Sequence, residues 1–214
     1  MDSFASFAMT EKMNEALEQL FSKYSCLESC RQAVVDAFDA ILASFRSGGK
    51  LLACGNGGSA ADAEHICSEL LKKFRKFRAI PEDVAKKLRP EIAAKLEGSL
   101  PAISLVSMSG FMTAFANDVS WETTFAQQVL GLARPGDVLI VLSTSGNSVN
   151  CVAAAEVMKA IGGRTIAFTG ANASRLSQIC DIAIRVPETE TYKVQELHLP
   201  IYHAICAALE EELF

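Results

Sequence analysis

Two stretches of this chain follow one plan, and that plan leaves few folds open. Residues 51–54 are a short apolar run that breaks into Gly55, Asn56, Gly57 and Gly58, with Ser59 placed as the N-cap of an amphipathic helix. Residues 138–142 are a continuous apolar run that breaks into Ser143, Thr144, Ser145, Gly146, Asn147 and Ser148, followed by a helical stretch over 149–161. Apolar runs without alternation mark strands buried on both faces, the habit of a parallel sheet. Strand, glycine- or hydroxyl-rich loop and helix N-terminus, in that order, form the repeating unit of a doubly wound α/β fold.

The other segments continue the alternation. Residues 101–106, 164–169 and 181–186 read as strands, and 109–118, 121–132 and 191–213 as helices. About five strands, covered on both faces by helices, are expected. Ahead of the first strand, Met13, Ala16, Leu17, Leu20 and Phe21 mark a helix over 10–25. Val34, Ala37, Phe38, Ile41, Leu42 and Phe45 mark another over 27–46, stopped by Ser47, Gly48 and Gly49. These helices suit either the sheet or a sister subunit. Residues 81–98 are a polar helical insert interrupted at Pro90, fit for a lid or an interface. The expected organisation is one domain over 1–214, with N-terminal helices at 1–48 and an α/β core at 49–214 that carries the insert.

Composition narrows the function classes. A net charge of −5 lacks the basic surplus of a nucleic-acid binder. No apolar run approaches the roughly 20 residues of a membrane span, and the N-terminus has neither a basic leader nor a long apolar stretch. A soluble cytoplasmic protein is expected, with no nucleic-acid and no membrane partner. The seven cysteines are odd in number and scattered through apolar stretches, which suits buried free thiols in a reducing compartment. Lys72, Lys73, Arg75, Lys76 and Arg78 form a dense basic cluster. It reads as a solvated helix end whose cations suit the dipole, or as a source of charge for a substrate phosphate.

The loop from Ser143 to Ser148 points to an anion. Three serines and a threonine can donate, Gly146 lets the backbone approach, and the following helix offers unpaired N–H groups. A phosphate is the obvious ligand and needs no metal; a plain serine-rich turn capped by Ser148 is the competing reading. No Walker A ending and no GxGxxG is present, so no nucleotide cofactor is expected. Only three histidines occur: His65, His198 and His203. His65 and Glu69 are four apart and share a helix face; Gln195 and His203 are eight apart on the closing helix. If those faces meet, two imidazoles, a carboxylate and an amide converge, as a metal site or as an acid/base pair. His198 has no such partner and reads as structural.

Together GNGGSAADAEH, STSGNS, the pair Asn117-Asp118 and the terminal QELHLPIYH resemble the sugar isomerase (SIS) domain family, in its phosphoheptose isomerase branch. The resemblance spans residue 51 to the C-terminus. It implies a five-stranded parallel sheet, a homotetramer with shared active sites, and interconversion of sedoheptulose 7-phosphate and a heptose 7-phosphate through an enediol. It implies that Ser143, Thr144, Ser145 and Ser148 hold the phosphate, and that Asn56, Gly57, Gly58, Ser59, Asn117, Asp118 and Gln195 line the substrate. It further implies Glu69 as the base, His203 as its acid/base partner, and His65, Glu69, Gln195 and His203 as ligands of one zinc ion per site. A carboxylate fully engaged by zinc is a poor base, so the two roles of Glu69 compete. Lys73 stands where the family usually has arginine, and Tyr192 where it often has an acidic residue. A non-catalytic SIS protein, such as a phosphosugar-binding or replication-initiation regulatory protein, is the competing class.

Overall fold

The computed structural model describes residues 14–214, so the start of the expected first helix lies outside the described residues. From Asn14 onward the N-terminal region is α1 (Glu15–Lys23), a 3-10 segment (Ser25–Cys30) and α2 (Arg31–Arg46). The expected second helix thus begins one tight segment later than its apolar spacing suggests. Asn14 caps α1 by accepting the Ala16 N–H at 2.9 Å.

Five strands follow: β1 (Leu51–Gly55), β2 (Ala102–Ser104), β3 (Val138–Leu142), β4 (Arg164–Thr169) and β5 (Ile182–Arg185). They form one parallel sheet in the order β2-β1-β3-β4-β5. Between them run α3 (Gly58–Leu71), α4 (Glu82–Ala85), α5 (Pro90–Ala93), α6 (Ser109–Asp118), α7 (Thr124–Leu132), α8 (Val149–Ile161) and α9 (Arg175–Ile179). The chain closes with α10 (Thr191–Leu213).

Strand alternation divides the interior into two layers. Leu51, Ala53, Val138, Ile140, Leu142, Ile166 and Phe168 point to one face, where α1, α2, α3 and α10 cover them. Leu52, Cys54, Leu139, Val141 and Ala167 point to the other, under Phe125 and Val129 of α7, the small residues of α8 and Leu176 of α9. The doubly wound sheet is therefore as expected.

This strand order reverses between β1 and β3, the switch point where the loops leaving two adjacent strands diverge and open a crevice. Those two loops are the glycine and serine loops singled out above. The insert resolves into α4 and α5, one turn each, with no buried residue and Pro90 at the first position of α5. Its ends are fastened, since Gly98 N–H reaches the Arg78 carbonyl at 2.9 Å and Leu100 N–H the Leu70 carbonyl at 2.9 Å.

Candidate functional site

The phosphate candidate is built by backbone first. Gly146 adopts φ +65°, and a Cβ there would collide with the Ser174 hydroxyl. The loop is pinned by Gly146 N–H to the Ser143 carbonyl at 2.9 Å, Gly170 N–H to the Thr144 carbonyl at 3.0 Å, and Leu176 N–H to the Gly146 carbonyl at 3.0 Å. Ser148 occupies the N-cap of α8, yet its side chain makes no capping bond. Its hydroxyl lies 3.0 Å from that of buried Ser143. The Cys151 N–H is taken by Asn150 Oδ1 at 3.0 Å, which leaves the N–H groups of Val149 and Asn150 at the head of α8, with the hydroxyls beside them, for an anion. We expect Gly146→Ala to lower stability by about 1–3 kcal/mol through left-handed strain and to abolish phosphate binding. Thermal unfolding and calorimetric titration with inorganic phosphate check both; unchanged phosphate affinity would remove the loop from the site.

The two loops are tied by a contact that sequence spacing does not reveal. Asn56 and Asn150 exchange two amide hydrogen bonds, each 2.9 Å, across the switch point. Asn150 is buried in the first turn of α8. Asn56 is therefore held at the crevice by a partner from the serine-loop side. Ser59 corrects the expectation of an N-cap: Gly57, at φ 57°, is the cap of α3, and Ser59 lies buried inside the first turn.

On the opposite side of α3, helices α3 and α10 run side by side in the same direction. Gly58 lies against the Gln195 amide, so close that a Cβ would strike it. Farther along, His65 Nε2 is 3.4 Å from His203 Nε2 and 3.2 Å from Glu69 Oε1. Glu69 Oε2 accepts from the Lys72 ammonium at 2.7 Å. The Tyr202 hydroxyl lies 3.1 Å from Asp62 Oδ1 and 3.0 Å from His65 Nδ1. Burial, then the adjacent His65, pushes the His203 imidazole below its ordinary value, against the attraction of Glu69. A neutral imidazole near pH 7 can both accept and donate. Burial, then Asp62, pushes the Tyr202 phenol far up, so it keeps its proton.

Three of the four residues expected to converge do so, and Gln195 does not. It stands beside Gly58, eight residues or about 12 Å of helix from His203. Among the described residues no group of three or more His, Cys, Asp or Glu side chains is arranged to hold a metal ion. The chemistry of the trio still suits one: two imidazole nitrogens and a carboxylate, with His65 Nε2 3.2 and 3.4 Å from the other two. Those are spacings of neighbouring ligands on bonds of about 2.0–2.1 Å. The Lys72 ammonium on Glu69 is what the trio would have to release.

Asn117 and Asp118 are also apart from the rest. They end α6 exposed, with the Asn117 amide donating to Asp118 Oδ1 at 2.8 Å. His198 is structural as expected. It is fully buried, faces the Thr169 carbonyl at 3.4 Å, and is held neutral by burial, which pushes its pKa down to about 4.

The basic cluster needs the clearest correction. Arg78 is fully buried, neither a solvated cation nor a phosphate ligand. Its Nε donates to Glu210 at 2.7 Å, and its two terminal nitrogens donate to the carbonyls of Leu70 (2.7 Å) and Glu69 (3.0 Å). Glu210 also accepts the N–H groups of Phe74, Arg75 and Lys76 at 2.8, 2.7 and 3.1 Å. That ion pair satisfies the open end of α3 and ties it to α10. Lys73 is turned to the insert, pairing with Glu97 at 3.0 Å.

Known proteins resemble this chain in both sequence and fold. A family model described as the SIS domain matches residues 14–170. A phosphoheptose isomerase from Rhodospirillum rubrum is 38% identical over 187 residues, 87% of this chain and 89% of that one. Among solved structures, a phosphoheptose isomerase from Francisella tularensis superposes with TM-score 0.75 at 30% identity, covering 92% of this chain and 94% of its own. One from Neisseria gonorrhoeae gives TM-score 0.73 at 30% identity, covering 91% and 94%.

Proposed function

Because this chain belongs to the SIS domain family and, within it, to the phosphoheptose isomerases, we propose that it interconverts sedoheptulose 7-phosphate and an aldoheptose 7-phosphate. The observation that carries the chemistry is the meeting of Glu69 with His65 and His203 on two parallel helices. An aldose–ketose isomerisation moves one proton between C1 and C2 and another between the two oxygens. Glu69 takes and returns the carbon-bound proton. His203, kept neutral by burial and His65, moves the proton between O1 and O2 of the enediol. Ser143, Thr144, Ser145 and Ser148 receive the phosphate, and Asn56, Gly57, Gly58, Ser59 and Gln195 line the sugar's path.

The site is shared between copies of the chain, most simply in a tetramer. Glu69 is eleven residues, about 16 Å of helix, from the N-terminus of α3 beside Asn56. The six carbon–carbon bonds of a heptose, at about 1.5 Å each, span less than about 9 Å. Helix α6 has no buried residue although it carries Phe111, Met112 and Phe115, and Val119 and Trp121 beyond it are exposed. A second copy seated there would bring Asn117 and Asp118 to a neighbour's sugar. Mixing Glu69→Gln and Ser143→Ala chains, each inactive alone, should restore part of the activity; no restoration would place each site within one chain.

Zinc is a further proposal. His65 and His203 would hold it, with Glu69 as a weak or alternating ligand so that its carboxylate stays basic and Gln195 joining only after it moves, and it would polarise the substrate carbonyl as a Lewis acid. Metal analysis should then find about one zinc per site, and full activity in metal-free protein would leave the trio as an acid/base group only. Among the described residues no helix is long and apolar enough to cross a membrane. The seven free cysteines suit the cytoplasm. The assignment of the substrate is tested by incubating the protein with C5 to C7 ketose and aldose phosphates and following isomer formation by NMR. Turnover of the heptose phosphate is expected, and no turnover of any of them would favour a binding role.

A further inference from the structure

We propose that Asp62 and Tyr202 are positioning residues that hold His65 in its Nδ1–H tautomer and aim its Nε2 lone pair at Glu69 and His203. It rests on the isomerase reading of that trio and extends it to two residues outside it.

The hydroxyl of Tyr202 has one proton and two neighbours, Asp62 Oδ1 at 3.1 Å and His65 Nδ1 at 3.0 Å. A carboxylate only accepts, so the Tyr202 proton goes to Asp62. The need is one-sided, because Asp62 Oδ2 is buried and has no partner of its own. Glu69 already accepts from Lys72 at 2.7 Å, so Asp62 is the carboxylate in need; the Tyr202 oxygen is then left as an acceptor for His65, which assigns the imidazole proton to Nδ1. It follows that Nε2 has a lone pair, directed between His203 Nε2 at 3.4 Å and Glu69 Oε1 at 3.2 Å. Facing a carboxylate, that lone pair is satisfied only by a proton from His203, by a proton that Glu69 has taken up, or by a cation. Either way the relay fixes which atom of His65 serves the reacting end.

The parts of the relay are rigid. Tyr202 is 1% exposed and its ring meets those of His65 and His203 edge-on, with centroids 5.4 and 5.0 Å apart. Asp62 lies one turn before His65 on α3, so its carboxylate and the imidazole face α10 together. An imidazole oriented through its second nitrogen is how ligating and acid/base histidines are usually held, and loss of the orienting group typically costs about 10–100-fold in activity or metal affinity.

Nitrogen-15 NMR of the chelator-treated full-length protein reads the tautomer without any need for turnover. With three histidines, the His65 signals are assigned by their loss in His65→Gln. At about pH 8.5, two units above the ordinary imidazole value, wild-type His65 should show a protonated Nδ1 and an unprotonated Nε2. In Tyr202→Phe both nitrogen shifts should move toward a mixture, and in Asp62→Asn they should move in the same direction. On sedoheptulose 7-phosphate, Tyr202→Phe should lower kcat about 10–100-fold at nearly constant KM. A wild-type His65 protonated at Nε2, or His65 shifts unchanged in folded Tyr202→Phe, would overturn the proposal. The tautomer expected, found in a protein without isomerase turnover, would uphold the relay and count against the isomerase reading alone.

Discussion

Glu69→Gln is expected to lower kcat by about 10²–10⁴-fold, the usual contribution of a positioned general base, and to leave phosphosugar binding intact. Glutamine keeps the shape and can still meet His65 and Lys72, but it has no basic oxygen to receive a carbon-bound proton. The proposed phosphate site is elsewhere, at the loop heading α8, so affinity should change little. The variant should fold normally, because the structural work at this end of α3 falls on the Glu69 carbonyl, which accepts from Arg78 at 3.0 Å. Steady-state rates alongside calorimetric binding separate the two effects. Unchanged turnover would remove Glu69 from the chemistry.

The second large effect is expected on stability. Arg78→Met leaves Glu210 as a buried charge without its cation, a change that typically costs about 3–5 kcal/mol. At about 2–4 °C per kcal/mol for a chain of this size, a loss of Tm on the order of 10 °C is expected. Replacing both partners, Arg78→Met with Glu210→Leu, should recover part of this, though the Glu69 and Leu70 carbonyls and the N–H groups of Phe74 to Lys76 would still lose partners. Chemical denaturation of the three proteins checks the ordering; a single variant as stable as wild type would show that the pair does not anchor α3. The same pair predicts an acid limb. Burial alone would raise the Glu210 carboxyl, but the three backbone amides and Arg78 outweigh it and hold it below the ordinary value. A carboxyl whose folded pKa is depressed contributes stability above its unfolded value, near pH 4.3, and loses it as pH falls through the folded value. Wild-type stability should therefore drop below about pH 4, and the drop should be shallower in the double variant.

The sheet was legible because parallel strands buried on both faces leave unbroken apolar runs. Residues 138–142 could hardly be anything else. The His65–Glu69 pair was legible because four residues is one helical turn. What escaped depends on contacts far apart in the chain. Asn56 and Asn150 are 94 residues apart, Tyr202 and His65 are 137 apart, and Arg78 and Glu210 are 132 apart. Glu210 looks like one of three acidic residues at a solvated helix end, and Arg78 like the tail of a basic run. Only the packing of α3 on α10 turns them inward. Gln195 stands beside Gly58 and not with the trio, which the sequence does not reveal: helical spacing says which face a residue lies on, not how far along its neighbour it lands. The sequence signal for Tyr202 is modest, an aromatic immediately before a candidate catalytic histidine.

Proton transfer at the C1–C2 pair of a phosphorylated ketose is reported directly by deuterium. Wild-type protein is incubated with sedoheptulose 7-phosphate in D₂O and followed by proton NMR. An aldose phosphate labelled with deuterium at C2 is expected, together with label entering C1 of the remaining ketose. A ketose recovered unlabelled and unisomerised, from folded protein that binds it, would rule out enediol chemistry at this site.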